Sequence, residues 1–254
     1  MDQWAKPELV DSWDNTGFQV GDENQQVKKI LIALDLDRLV LDKAIKDNYQ
    51  MIITHHPIIF KPLKQIIRAN HKEDLIIDLI KNNIVAYNAH SNLDLAKNGV
   101  SHALANILNI TNTKALNTIY RDESYNYGYG QIGDIKSIST MELISLIKEK
   151  LDIDRVMLYG EMKEDLTKIA VCGGSGSDFI FDAYMKGAQV FITGDIKYHD
   201  AQLAQELGIT LIDPGHFNTE KVILPKIKEY LTNNFKEMVT IDLVYESSIS
   251  FKIL

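Results

Sequence analysis

No apolar run in this chain approaches the ~20 residues that a membrane-spanning helix requires. The first residues, Met1-Asp2-Gln3-Trp4, have neither the basic region nor the apolar core of a secretory signal, so a cytoplasmic location is expected. Cysteine is nearly missing as well. The single one, Cys172, fits a reducing compartment, and its place in the run Ile169-Ala170-Val171-Cys172 marks it as a small buried hydrophobe rather than a nucleophile. Basic charge is outnumbered: 27 Lys and Arg against 35 Asp and Glu give a formal net charge of -8. That balance disfavours nucleic-acid binding unless Lys61, Lys64 and Arg68 gather in a local patch.

What is present is an ordinary globular composition, 254 residues with 45% hydrophobic and 24% charged, enough for one large or two modest domains. Met1 to Asp22 predicts a short helical start and a structured loop whose Trp4 and Trp13 serve core packing. From Lys28 a regular alternation sets in. Lys29 to Leu34 reads as a buried strand, Asp37 to Asn48 as a helix and Met51 to Thr54 as a second strand, a βαβ unit. A helix over about Lys72 to Asn82, a strand from Ile84 to Ala89 and a helix from Ser101 to Asn106 complete an α/β half. The middle is less regular. It offers a strand at Asn117 to Tyr120 and a segment Tyr125 to Gly130 that reads as a Gly-punctuated strand rather than an aromatic platform. A helix follows, announced by Ser139 or Thr140 with Glu142 and carried by Leu143, Leu146, Ile147 and Leu151. From Lys168 the first pattern returns. Ile30 to Ile53 and Ile169 to Ile192 span the same interval, and each second strand ends in Ile-Thr before a polar pair, His55-His56 or Gly194-Asp195. The fold class expected is α/β, two linked α/β domains of similar βαβαβ design over 1–126 and 127–254, with the site at the strand C-terminal ends between them.

Chemistry gathers at those strand ends. Neighbouring side chains of an extended backbone point to opposite faces, so adjacent histidines reach one point only where the strand has just ended, an ending that Pro57 supports. The third strands finish in a similar way, with His90-Ser91-Asn92-Leu93-Asp94 and with Asp213-Pro214-Gly215-His216-Phe217-Asn218-Thr219-Glu220. Of the seven histidines, His55, His56, His90, His199 and His216 fall at or just beyond strand ends or at the following helix starts, where α/β sheets carry their sites. His216 and Glu220, four apart at the start of one strong helix through Val222, Ile223, Ile227 and Leu231, project from one face and can converge on an ion. A capped helix start with surface polar residues is the plain alternative for that pair; the His-His pair and Asp94 in equivalent places favour metal. Three histidines and two carboxylates exceed what one catalytic zinc takes, which points to two divalent cations. Zn, Fe, Mn, Co and Ni all suit imidazole and carboxylate donors without thiolate. Such a pair activates water near neutral pH, which suits hydrolysis. The loop Gly173-Gly174-Ser175-Gly176 is either an anion cradle or a tight turn; Phe179 at the third glycine position removes the dinucleotide fingerprint.

Six segments in this order, Trp13 to Gly21, Thr54-His55-His56-Pro57, His90 to Asp94, Gly173 to Gly176, Thr193-Gly194-Asp195-Ile196-Lys197-Tyr198-His199 and Gly215 to Glu220, resemble the NIF-three-like proteins over nearly the whole chain. These are also named GTP cyclohydrolase I type 2 homologues. The resemblance implies two linked α/β domains and a ring-shaped homohexamer with its sites facing an internal cavity. It also implies a dinuclear metal centre held by His55, His56, Asp94, His216 and Glu220, with Glu220 bridging. In two respects the chain departs from the family pattern. Ile110 to Leu166 is too short for the domain that some bacterial members insert between the halves, which makes this the compact form, and only Met1 to Ser12 precede the Trp-Asp-Asn motif, where members usually carry a longer helix.

Two functions follow from these residues. One is a metal-dependent hydrolase of a nucleotide-like or other small molecule, with His90, Asp195, Lys197 or His199 orienting substrate or shuttling protons. The cyclohydrolase name adds purine ring opening with release of formate, for which the residues hold no nucleotide-specific element. The other is a non-catalytic protein that stores, delivers or senses metal, or a regulator.

Overall fold

Runs of β-branched and aliphatic residues separated by amphipathic stretches dictate alternating strands and helices, and the computed structural model, which describes residues 1–68, 70–246 and 249, contains them. In chain order they are β1 (Gly17–Val20), β2 (Lys29–Ala33), α1 (Arg38–Lys46), β3 (Met51–Thr54), α2 (His71–Lys81), β4 (Val85–Asn88), α3 (Ser91–Leu95), α4 (Val100–Ile107), β5 (Thr111–Arg121) and β6 (Asn126–Ile138). Then follow α5 (Thr140–Leu151), β7 (Met157–Tyr159), β8 (Leu166–Ser175), α6 (Ile180–Met185), β9 (Val190–Gly194), α7 (Tyr198–Leu207), β10 (Thr210–Asp213), α8 (His216–Glu220), α9 (Leu224–Phe235) and β11 (Thr240–Leu243). They fall into two units, Met1–Leu93 with Leu224–Leu254, and Asp94–Ile223.

In the first unit the strand order is β1-β4-β3-β2-β11, parallel except for β1 at the edge. Strands buried on both faces carry unbroken apolar runs, and Leu31, Ile32, Ile52 and Ile53 are accordingly inaccessible to water. α1 starts where Asp37 accepts a 2.8 Å hydrogen bond from the Val40 N–H, and it turns Val40, Leu41 and Ala44 onto the sheet. With Leu75, Ile76 and Leu79 of α2 these side chains close one core cluster. Each such fully buried aliphatic side chain contributes roughly 1.5–3 kcal/mol of transfer free energy.

The second unit orders its strands β5-β6-β8-β9-β10-β7, with β8, β9 and β10 parallel and the others antiparallel. α5 begins with a complete capping box: Ser139 accepts from the Glu142 N–H and the Glu142 carboxylate accepts from the Ser139 N–H. Leu143, Ile147 and Leu151 of that helix pack with Leu104 of α4 against Ile169, Val171 and Ile192 on one face, while Ile180, Ala183 and Ala204 pack with Cys172, Phe191 and Leu211 on the other. Cys172 is buried as expected, and burial, with the Asp94 and Glu220 charges adding to it, pushes its thiol up to about 12.

The internal repeat exists at the level of register. Ile32 of β2 faces Ile53 of β3 and Val171 of β8 faces Ile192 of β9, the partner lying 21 positions further along the chain in both cases. The partition between the two units runs through α3 and again at Ile223/Leu224: β11 returns to pair with β2, while β5 and β6 lie in one sheet. Two expectations are corrected. The single helix expected from His216 through Leu231 is interrupted by a 3-10 turn, Lys221–Ile223, where Pro225 in the first turn of α9 has no N–H to continue the ladder. Trp13 is not core: it is 57% exposed.

Candidate metal centre

In the first unit β3 delivers His55 and His56 from its carboxyl end. Pairing runs to that end on both sides: the Ala89 N–H donates to Thr54 O at 3.0 Å, and the His56 N–H donates to Leu34 O at 3.0 Å. The Thr54 hydroxyl donates to His56 O at 2.7 Å and fixes the turn beyond. Each ring is then oriented through Nδ1. His55 Nδ1 donates to Ala89 O at 2.7 Å, His56 Nδ1 to Asp35 Oδ1 at 2.8 Å and His90 Nδ1 to Asp14 Oδ1 at 2.9 Å. A carbonyl or carboxylate oxygen only accepts, so the neutral form of each ring carries its proton on Nδ1 and its lone pair on Nε2. The ligating atoms of the three histidines lie within 4.8 Å of one another.

Asp14 is the more enclosed of the two carboxylate acceptors. Its side chain has no exposure and also accepts from the Thr16 hydroxyl (2.6 Å), the Ser91 hydroxyl (2.7 Å) and the Asn15 N–H (2.8 Å). Burial by itself would raise its carboxyl, but the hydrogen bonds from His90, Thr16 and Ser91 together hold it well below the usual carboxylate range.

In the second unit the candidate donors are Asp94, His216 and Glu220. Asp213, the last residue of β10, accepts from the Gly215 N–H at 2.7 Å and the Ile196 N–H at 3.2 Å, tying together the turns that carry His216 and Asp195. Burial lifts the Asp213 carboxyl above its ordinary value, with the Asp195 charge adding to the effect against those two hydrogen bonds. His216 Nδ1 donates to Asp195 Oδ2 at 2.7 Å, and His216 Nε2 lies 3.0 Å from Glu220 Oε2, one helical turn along α8. The ligating oxygens of Asp94 and Glu220 are within 4.8 Å of each other.

The glycine loop explains how Glu220 is placed. At Gly174 the backbone is left-handed, with φ +65°, and a Cβ there would overlap Glu220 Oε1; at Gly194 a Cβ would stand 2.7 Å from the His216 N. Gly173, Gly174 and Gly176 donate their N–H groups to Ser101, Thr219 and Thr193 hydroxyls at 2.9–3.2 Å. With those three donors occupied by the protein itself, the loop is a tight turn that seats the carboxylate.

The donor set fits a divalent cation. A neutral imidazole Nε2 and a carboxylate oxygen are both electron-pair donors and need a shared proton or a shared cation at 3.0 Å. That separation is also roughly the distance between adjacent ligands around an ion with bonds of about 2.1 Å. Of the other candidates named from the sequence, Asp195 orients His216 and His90 stands beside His55 and His56. Lys197 and His199 are exposed at the start of α7, where the Lys197 N–H donates to Asp200 and His199 pairs with Gln202 of its own helix. Asp14 and Asp35 escaped the sequence reading. Asp35 follows β2 as His56 follows β3, so the strand-end rule already pointed at it; Asp14 sits 76 residues from His90 in a loop that reads as packing.

Fold and site together define an α/β protein with imidazole and carboxylate clusters, free of thiolate, at the carboxyl ends of parallel strands. Residues 1–249 match the family model Duf34/NIF3 (NGG1p interacting factor 3), and the chain belongs to that family. It is 36% identical over 226 residues to a Clostridium perfringens protein named GTP cyclohydrolase 1 type 2 homolog, covering 89% of this chain and 86% of that one. A Methanocaldococcus jannaschii protein of the same name is 34% identical over 245 residues, covering 95% and 96%. Among solved structures, a Bacillus cereus protein related to NIF3 superposes with a TM-score of 0.91 at 26% identity, covering 100% of this chain and 96% of that one.

Proposed function

We propose that His55, His56, Asp94, His216 and Glu220 are the residues that would hold a pair of divalent cations, Zn, Fe, Mn, Co or Ni. On this reading the protein is a metal-dependent hydrolase of a nucleotide-like or other small molecule. One observation carries it: His55, His56 and His216 each donate Nδ1–H to a fixed acceptor, the arrangement that orients metal-ligating imidazoles and raises their basicity. When bound, the cations supply an activated water and electrophilic stabilisation of developing negative charge. The chain's own residues do the rest. Asp35 and Asp195 hold the rings in register, Gly174 admits the Glu220 carboxylate, and His90, backed by Asp14, is the group to hold or move a proton at Nε2. Assembly as a homohexameric ring is part of the same proposal, and solution mass checks it.

A second reading, storage, delivery or sensing of metal, is favoured by the partial exposure of His216 and Asp195, whose side chains are 34% and 51% accessible and would let an ion exchange. Two measurements separate the readings. Elemental analysis of His56→Ala and Glu220→Ala should show loss of metal with an unchanged circular dichroism spectrum; equal metal content in both variants would refute the ligand assignment. A substrate screen with metal-loaded protein, starting from GTP with formate detection because of the relatives' name, should give turnover that His55→Ala abolishes. Turnover that is absent, or unchanged in His55→Ala, assigns the protein to metal handling.

A further inference from the structure

Beside the cluster of His55, His56 and His90 in the first unit stand two aromatic rings that neither the core nor the ligand set uses. Trp13 is 57% exposed and Phe60 42%, although their rings touch, with centroids 6.0 Å apart. Both flank His90, at 5.9 Å and 6.3 Å. Their positions are held firmly. The Asn15 side-chain amide donates to Ile59 O at 2.6 Å, the Ile59 N–H donates to Gln19 Oε1 at 3.0 Å, and the Gln19 amide donates to Asn15 O at 2.8 Å, so the loop carrying Trp13 and the loop carrying Phe60 are locked to each other. Rings held in this way lose little conformational freedom when something stacks on them.

We infer that Trp13 and Phe60 form a stacking site for a planar heteroaromatic ring, read at its edge by His90 Nε2. This inference deepens the hydrolase reading and rests on it for the chemistry that follows binding. Shape argues for a single ring. Trp13 and His90 are inclined at 86°, Phe60 and His90 at 81°, and Trp13 and Phe60 at 60°, so the three planes make a corner rather than a flat patch. A corner one ring across is far smaller than the ~800 Å² per partner of a stable protein interface. Polarity argues for a nitrogen heterocycle. Because buried Asp14 accepts a hydrogen bond from the Nδ1–H, neutral His90 offers a hydrogen-bond acceptor at Nε2, which suits a ring N–H or an exocyclic amino group. Purine and pyrimidine bases belong to that class.

Isothermal titration of the metal-loaded full chain with GMP and with ribose 5-phosphate, which lacks the base, tests the site. GMP should bind and ribose 5-phosphate should bind at least about tenfold more weakly. Trp13→Ala should weaken GMP by about tenfold, the loss expected when one base–aromatic stack is removed, and Trp13→Phe should recover part of it. Metal content should stay at the wild-type level in both variants. Equal GMP affinity in wild type and Trp13→Ala, equal affinity for the two probes, no GMP binding to the wild type, loss of metal in Trp13→Ala, or a changed solution mass in that variant would each overturn the inference, the last assigning the rings to contact between copies. Failure of the underlying reading looks different: His56→Ala would then retain its metal whatever GMP does.

Discussion

The two units carry the same β–α–β register and use it for different chemistry. In the first, β3 ends in His55-His56, so the strand end itself supplies ligand candidates; in the second, β9 ends in Gly194-Asp195, which supplies space and an orienting carboxylate, while the candidate donors sit on α8 and at Asp94. A repeated framework therefore determines where donors can be placed, and side-chain identity at each strand end determines which place is used. The units also differ in how they hold an imidazole. His55 is fully buried against a backbone carbonyl, whereas His216 is partly open and held by an exposed aspartate.

Gly174→Ala is the most damaging way to break this contrast. The left-handed φ and the overlap with Glu220 should together cost about 3 kcal/mol, read as a lower urea midpoint, and metal content should fall as the carboxylate is displaced. The turn after β2, Leu34-Asp35-Leu36, contains no glycine. An unchanged midpoint and metal content would show that Glu220 does not depend on the loop. Next in size, Asp35→Ala and Asp195→Ala remove the acceptors of His56 and His216 and should each weaken metal binding by about 10- to 100-fold. A deficit confined to one of them would make the two units functionally unequal.

Acidification separates the units by sign. The Asp14 carboxyl is lowered in the folded state, so its stabilisation is present above the unfolded value of about 3.9 and is lost as pH falls through the folded one. The Asp213 carboxyl is raised, so its ionisation opposes folding as pH rises and that penalty disappears in acid. Urea midpoints between pH 6 and pH 3 should show the wild-type advantage over Asp14→Asn shrinking and the wild-type position relative to Asp213→Asn improving; parallel trends would contradict the assignment. The smallest effects are at helix starts. Asp37→Ala in α1 and Ser139→Ala in α5 should each cost about 1 kcal/mol. If both variants move one common unfolding transition the units are cooperative, and if each moves its own transition they are not.

Much of this was legible in order along the chain, for definite reasons. Apolar runs of strand length flanked by amphipathic stretches announced β2, β3, β8 and β9, and Ser139 with Glu142 announced α5, because hydrophobic periodicity and capping are local. The His-His pair at a strand end was local as well. Less legible was the break at Pro225, where the apolar spacing of Val222, Ile223, Ile227 and Leu231 continues although the hydrogen-bond ladder does not. Trp13 was misread for a related reason: composition assigns indoles to cores, whereas this one stands in water on a loop tied down through Asn15 and Gln19.

By itself the sequence determined the α/β class, the twofold use of one strand–helix–strand design and the residue types that face the ends of its strands, since all three depend on neighbours within one turn or one strand. Tertiary structure alone decided that Asp14 backs His90, that the Gly173–Gly176 turn occupies its own N–H groups, and that β11 closes the first sheet after an excursion through the second. Those outcomes join residues tens to hundreds of positions apart, and no local preference encodes which buried carboxylate meets which imidazole; packing of the finished sheets selects the pair.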